Sequence, residues 1–132
     1  MIVADASVVV AALLVSGEHG DAARRVLLSD EAAAPHLLDV EVTSAIRRHV
    51  LGGRLAAADA REHVRDLRDL AISRHAHEPL LDRLLELRDS VSAYDGTYVA
   101  LAEVLGATLV TADARLARAP GSRCGIELLP TG

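Results

Sequence analysis

Hydrophobic positions follow two alternating patterns along the chain. Short apolar runs are typical of buried strands, and apolar residues spaced three and four apart are typical of amphipathic helices. The runs predict strands at residues 2–4, 32–34, 71–72, 108–110 and 126–129. The spaced stretches predict helices at residues 7–15, 19–29, 37–51, 57–71, 79–91 and 93–105.

Turn and capping signals support several of these boundaries. Gly52-Gly53 and Gly106 end two of the helices, while Pro79 and Ser92 begin two others. Strands that alternate with amphipathic helices predict an α/β fold, in which helices cover both faces of a short parallel sheet. No Pro-, Gly- or Ser-rich stretch divides the 132 residues, so we expect one domain, 1–132.

The composition narrows the chemistry that the chain can perform. Hydrophobic residues make up 51% of the chain, enough for a real core. All 14 basic residues are arginine, so a P-loop and Schiff-base catalysis are excluded because both need lysine. The single Cys124 excludes a disulfide framework and a cysteine-rich metal site. No apolar run is long enough to span a membrane, and we expect a soluble, cytoplasmic protein.

Two acidic residues follow predicted strands at the edge where an open parallel sheet binds its ligands. Asp5 directly follows the first strand, and Asp113 comes shortly after the strand at 108–110. Each carboxylate could instead cap the next helix, since Asp is a favoured N-cap. Ser7 weakens this alternative for Asp5, because Ser7 could cap that helix itself.

Two further acids lie beside the predicted core. Glu41 is on the flank of a buried helical stripe, where a carboxylate needs a partner or a cation to offset its desolvation. The alternative is a Glu at the edge of the core that pairs with Arg48. Asp95 heads an inward-facing stripe, although its position three residues after Ser92 also fits a capping box.

If the four acids converge, the cluster must be protonated or must hold a hard cation, because like charges at short range repel. Oxygen ligands without His or Cys favour Mg²⁺ or Mn²⁺. Mg²⁺ held by a few carboxylates keeps bound waters and recruits substrate phosphates. The chemistry predicted for such a cluster is metal-assisted hydrolysis of a phosphodiester.

Three segments resemble PIN-domain ribonucleases, most closely the VapC-type toxins of bacterial toxin–antitoxin pairs. They are IVADAS at 2–7, AYDGTYVALA at 93–102 and LVTADARL at 109–116. The resemblance implies a three-layer α/β/α fold and a Mg²⁺-dependent endoribonuclease, with Mn²⁺ as a substitute. It also implies a set of catalytic, metal-binding acids: Asp5, Glu41, Asp95 and Asp113.

The resemblance also suggests polar residues that would support the acids. Thr111 is the expected neighbour of the metal ligands, and Ser7 stands where the family has Ser or Thr after its first acid. Ser44 is a departure, because family members often carry Asn three residues after the mid-helix acid. A serine there can still donate one hydrogen bond, so the departure concerns the geometry around the ligands more than the chemistry.

The charge balance bears on the substrate. A net charge of −5 and a pI near 5.6 are not typical of a general nucleic-acid binder, although a local basic rim would be compatible with them. With two Tyr and no Phe or Trp there is no aromatic platform for bases, which favours a structured RNA recognised by shape and backbone. The candidate rim residues are Arg24, Arg25, Arg47, Arg48, Arg54, Arg115 and Arg118.

The expected partners follow from the resemblance. It implies a homodimer and a small antitoxin that silences the acidic site. The antitoxin would lay an apolar helix in a groove between helices and pair an arginine with the acids.

Two other classes compete with this interpretation. Receiver and haloacid-dehalogenase-like domains also gather Asp at strand ends, but they use a lysine that this chain lacks. A catalytically inactive PIN-like module that only binds RNA or protein is the alternative that the sequence leaves open. The histidines, including His75 and His77, are predicted to be surface residues.

Overall fold

A computed structural model describes residues 1–130 and contains a five-stranded, fully parallel sheet. Its strands are β1 (Ile2–Ala4), β2 (Ala32–Pro35), β3 (Ile72–His75), β4 (Thr108–Thr111) and β5 (Ile126–Leu128). They lie in the order β3-β2-β1-β4-β5. The chain reverses its direction of travel across the sheet between β1 and β4, and this is the point where open α/β sheets form a ligand crevice.

Seven α-helices surround the sheet within residues 1–130, completing the predicted three-layer α/β/α arrangement. Helix α6 packs against β1, β2 and β4, while α1 contacts β4 and α3 contacts β2. The bounds are α1 (Ala6–Leu14), α2 (Glu18–Ser29), α3 (Leu37–Leu51), α4 (Ala57–Asp69), α5 (Leu81–Glu86), α6 (Ala93–Leu105) and α7 (Ala114–Ala117). None of these helices has the length and apolar character needed to cross a bilayer.

The central strands are buried on both faces, as their apolar sequences predict. Val3, Ala4, Ala34 and Leu109 have no exposed surface, and the alanines of β2 leave room for the helices packed against them. The outer strand β3 carries polar residues because part of its surface faces solvent. Its polar positions explain why the sequence predicted only residues 71–72 for a strand that spans Ile72–His75.

The helix predicted at 79–91 is wrong in length. A 3₁₀ turn at Glu78–Leu80 leads into α5, which ends at Glu86. The chain then turns, and the backbone N–H groups of Ser90 and Val91 both donate to the carbonyl of Leu87. The Ser90 hydroxyl also donates to the carbonyl of Pro120, a contact distant in sequence that helical periodicity cannot reveal.

The N-terminus of α3 is held by the segment after β3. The Leu37 N–H donates to Nε2 of His77 over 2.8 Å, and the His36 N–H donates to the carbonyl of His75 over 2.8 Å. His75 and His77 are half-buried, so they keep part of the surface exposure predicted for them while they make these contacts. This anchoring fixes the start of the helix that carries Glu41.

Candidate active site

Asp5 is held on both carboxylate oxygens at the end of β1. Its Oδ1 accepts from the Ser7 hydroxyl over 2.5 Å and from the Val8 N–H over 3.3 Å. Its Oδ2 accepts from the Thr111 hydroxyl over 2.5 Å. Asp5 therefore caps α1, and the alternative in which Ser7 caps that helix is wrong.

Ser7 and Thr111 join the ends of β1 and β4. The Ser7 oxygen accepts from the Ala112 N–H over 2.9 Å while its hydroxyl donates to Asp5. The fully buried Thr111 oxygen accepts from the Asp113 N–H over 3.0 Å while its hydroxyl donates to the other oxygen of Asp5. Each hydroxyl thus fixes both a carboxylate and a backbone turn.

Asp113 combines capping with a place at the ligand edge of the sheet. Its Oδ1 accepts from the Arg115 N–H over 2.9 Å and caps α7, the short helix that the hydrophobic pattern did not predict. Its Oδ2 lies 3.7 Å from the Arg115 guanidinium, and its side chain is 33% exposed. Capping uses one oxygen and leaves the other able to bind a ligand.

Asp95 begins the buried part of α6. The Ser92 oxygen accepts from the Asp95 N–H over 3.1 Å, which supplies the Ser92 half of the predicted capping box. Burial raises the pKa of the Asp95 carboxyl, and the negative charge of Asp113 raises it further, while Arg115 acts in the opposite direction. Asp95 and Asp113 are distant in sequence but therefore lie close enough in the fold for their charges to interact.

The negative charge of Asp95 also acts on Asp5. Burial raises the pKa of Asp5, the hydrogen bonds from Ser7, Thr111 and Val8 oppose that shift, and the charge of Asp95 adds to it. Asp95 thus interacts with both Asp5 and Asp113. Carboxylates that disfavour each other's ionisation are the arrangement that a cation stabilises.

Glu41 is paired with a tyrosine. The Tyr98 hydroxyl donates to Oε1 of Glu41 over 2.5 Å, and only 1% of Tyr98 is exposed. Burial raises the pKa of the Tyr98 phenol, as do the bond to Glu41 and the charges of Asp5 and Asp95, so the phenol stays protonated and donates. Tyr98 thus contacts Glu41 directly and lies within the electrostatic reach of Asp5 and Asp95.

The hydrophobic pattern places Tyr98 on the inward-facing stripe headed by Asp95 and gives its hydroxyl no role. The signal that could have identified it is a hydroxyl on a buried stripe, because a buried tyrosine usually finds a hydrogen-bond partner. The predicted alternative that pairs Glu41 with Arg48 is wrong, because Arg48 Nη1 instead donates to the Ser44 hydroxyl oxygen over 3.1 Å. Ser44, which lies one turn after Glu41 on α3, therefore contacts an arginine.

A cleft of about 340 Å³ opens beside Glu41. It is lined by Ala6, Ser7, Val10, Glu41, Ser44, Ala45 and Arg48. A larger cleft of about 570 Å³ lies beside β2 and β3, but none of the four acids lines it. The smaller cleft is therefore the one that gives access to an acid of the predicted set, Glu41.

The donor set agrees with a hard divalent cation. Asp5, Glu41, Asp95 and Asp113 offer only carboxylate oxygens, which Mg²⁺ and Mn²⁺ prefer. Within residues 1–130 no three His, Cys, Asp or Glu side chains are drawn together tightly enough to enclose one ion in this conformation. The charge of Asp95, which raises the pKa of Asp5, and the charge of Asp113, which raises the pKa of Asp95, are therefore the observations that favour a cation here.

The profile of the PIN domain family matches residues 2–122. The chain therefore belongs to the PIN-domain family. Over 130 residues it is 43% identical to Ribonuclease VapC9 of Mycobacterium tuberculosis, covering 98% of this chain and 99% of that protein. It is also 42% identical over 128 residues to Ribonuclease VapC1 of the same species, covering 96% of each chain. These full-length relatives place it among the VapC-type members.

A solved structure supports the fold. The crystal structure of PAE2754 from Pyrobaculum aerophilum superposes with a TM-score of 0.72 at 25% sequence identity. The match covers 95% of this chain and 81% of that protein. The expected PIN-like α/β/α fold is therefore confirmed.

Proposed function

We propose that this VapC-type PIN protein is a metal-dependent endoribonuclease that acts as the toxin of a toxin–antitoxin pair. The observation that carries the proposal is the electrostatic linkage of Asp5, Asp95 and Asp113, with Glu41 held beside them by Tyr98. The ribonuclease names of the full-length relatives support the same activity. In this proposal residues 1–132 form one nuclease domain that works in the cytoplasm.

The proposed metal ligands are Asp5, Glu41, Asp95 and Asp113, and the proposed ion is Mg²⁺, with Mn²⁺ as a substitute. When bound, such an ion supplies an activated water and neutralises charge on the transferring phosphoryl group. All four acids stand at the ligand edge of the sheet or on helices beside it, which agrees with one shared centre.

The supporting residues set the geometry of the acids. Ser7 and Thr111 hold the two oxygens of Asp5, so this carboxylate has one orientation. Tyr98 fixes Oε1 of Glu41 and leaves Oε2 for a ligand. Because the Ser7 and Thr111 hydroxyls donate to the ionised Asp5, they oppose the effect of burial on its pKa and keep it a better ligand than burial alone would allow.

Metal removal tests this function. Cleavage of a labelled RNA hairpin by the purified protein should fall by at least about 10²-fold in EDTA and return when Mg²⁺ or Mn²⁺ is added in excess. The measurement is product formation on a denaturing gel, with the same protein and RNA in all arms. Binding of the RNA without cleavage in either metal would contradict the proposal and favour an inactive PIN-like binding module.

The proposed partners are a small antitoxin and a second copy of the chain. VapC-type toxins pair with antitoxins, and the acidic edge would attract an arginine of such a partner. Helix α5 and the start of α6 expose Leu81, Leu85 and Tyr94, an apolar surface that suits a homodimer.

Co-expression with the adjacent small reading frame, followed by pull-down and a cleavage assay, tests the antitoxin. We expect a complex with little RNA cleavage, and a complex as active as the free protein would contradict this assignment. Light scattering of the free protein tests the dimer, and a monomer at micromolar concentration would count against it.

A further inference from the structure

The arginines of this chain differ in what they already contact. Arg24 donates to the carbonyls of Ala12 and Val15 at the end of α1 and pairs with Asp21, so its guanidinium is used to hold the α1–α2 corner. Arg54 turns back onto the carbonyl of Arg48 over 3.5 Å. Two members of the predicted basic rim are thereby assigned to local structure.

Arg48 lies at the Glu41 end of the acidic centre. It lines the 340 Å³ cleft together with Ser7 and Glu41. Its Nη1 donates to the Ser44 oxygen, which fixes the guanidinium on the cleft wall and leaves its other N–H groups free to bind a ligand. The serine that departs from the family's usual Asn thus serves to position this arginine.

Arg115 lies at the Asp113 end. Its side chain is 89% exposed, and its Nη2 is 3.7 Å from Oδ2 of Asp113. Its charge also lowers the pKa of Asp95, so it stands within the electrostatic reach of the centre. An exposed guanidinium beside two carboxylates can offset the repulsion that a phosphate would meet there.

The sheet order separates the two arginines. Helix α3 follows β2, Asp5 ends β1 and α7 follows β4, and these strands are neighbours in the order β2-β1-β4. We propose that RNA crosses the acidic centre with its backbone phosphates bound by Arg48 at one end and Arg115 at the other. This inference rests on the proposed nuclease function and specifies how its substrate is held.

Guanidinium groups suit this task because their planar fork binds phosphate oxygens in pairs. The contacts address the backbone, so they would orient a strand without reading its sequence. A protein with a net charge of −5 needs such local cations to bring a polyanion to a cluster of carboxylates.

Salt dependence of binding tests the two contacts. The variants are Arg48→Gln and Arg115→Gln, with Arg61→Gln and Arg65→Gln as matched controls, because both control arginines are exposed on α4, which carries none of the four acids. A fluorescein-labelled RNA hairpin in EDTA is the probe, so binding is measured without cleavage. Each site variant should reduce the slope of log K against log salt by about 0.7–0.9, the value for one lost phosphate contact. The controls should change the slope much less.

A chemical modification locates each contact. Single neutral methylphosphonates are placed on either side of the bond that the wild-type protein cleaves. We expect a methylphosphonate on one side of the cleaved bond to weaken binding to the wild-type protein but not to Arg48→Gln. A methylphosphonate on the other side should weaken binding to the wild-type protein but not to Arg115→Gln. This coupling identifies the partner of each arginine, which a general loss of charge would not do.

The outcomes separate this inference from the function on which it rests. Equal slopes for site and control variants, or coupling of both arginines to one phosphate, would overturn the two contacts even if cleavage is intact. If the slopes change as expected but the protein does not cleave RNA with Mg²⁺ or Mn²⁺, the two contacts would be supported. The same result would overturn the nuclease function. Circular dichroism melts of all four variants establish that they are folded.

Discussion

Asp95→Asn should abolish RNA cleavage and at the same time raise the melting temperature of the metal-free protein. The substitution removes one proposed metal ligand, for which we expect a loss of at least about 10²-fold in cleavage rate. It also removes a negative charge that disfavours the ionised form of Asp5 and that lies in the field of Asp113. A purely structural role for Asp95 would predict lower stability, so the two readouts together are diagnostic.

The pH dependence follows from the raised pKa values of Asp5 and Asp95. A carboxyl whose pKa is higher in the folded protein binds its proton more tightly there than in the unfolded chain. The free energy of unfolding therefore falls as pH rises from the ordinary value of 3.8 through the raised pKa, and stays lower above it. In melts of the metal-free protein, the stability of Asp95→Asn should therefore fall less with rising pH than that of the wild type, because the contribution of the Asp95 carboxyl is absent.

Asp59→Asn is the matched control, because Asp59 lies in the first turn of α4, is exposed and is not among the four acids. It should leave cleavage unchanged, which shows that losing one negative charge is not itself inhibitory. An Asp95→Asn protein that cleaves RNA at the wild-type rate would rule out a ligand role for Asp95.

Thr111→Val should cost both stability and activity, although the two side chains have nearly the same shape. Thr111 has no exposed surface, and its hydroxyl serves Asp5 and the Asp113 N–H at once. Valine leaves the buried carboxylate and the backbone group without this partner, which we expect to cost about 2 kcal/mol of unfolding free energy. Cleavage should fall by about 10-fold or more because Asp5 loses its fixed orientation.

Thr111→Ser is the control, since it keeps the hydroxyl and removes only a methyl group. It should retain most of the activity, with a stability loss smaller than that of the valine variant. Chemical denaturation and the hairpin cleavage assay measure both quantities. If valine and serine behave alike in both assays, the Thr111 hydroxyl does not organise the site.

Several features could be predicted from local sequence alone. The bounds of α3 at Leu37–Leu51 and α6 at Ala93–Leu105 agree with the prediction, because periodicity, Ser92 and the glycines after each helix act locally. The placement of Asp5 at the ligand edge also followed from the sequence, since the strand before it is strongly apolar. In these places local preference and tertiary structure favour the same conformation.

The contacts that organise the site could not be predicted in this way. Tyr98 and Glu41 are 57 residues apart, and Thr111 and Asp5 are 106 apart, so only the folded sheet brings them together. Capping of α1 by Asp5 does not exclude a place for Asp5 among the clustered acids. One carboxylate can cap a helix and still stand in a shared cluster, because its two oxygens and their lone pairs serve different partners.

Anomalous diffraction from crystals soaked in Mn²⁺ tests most directly whether the four acids form one metal centre. We expect an anomalous peak bounded by the carboxylates of Asp5, Glu41, Asp95 and Asp113 in the wild-type protein, and a weaker peak or none in Asp95→Asn. Mn²⁺ bound only away from these carboxylates, in a protein that cleaves RNA with Mn²⁺, would contradict the assignment of the centre.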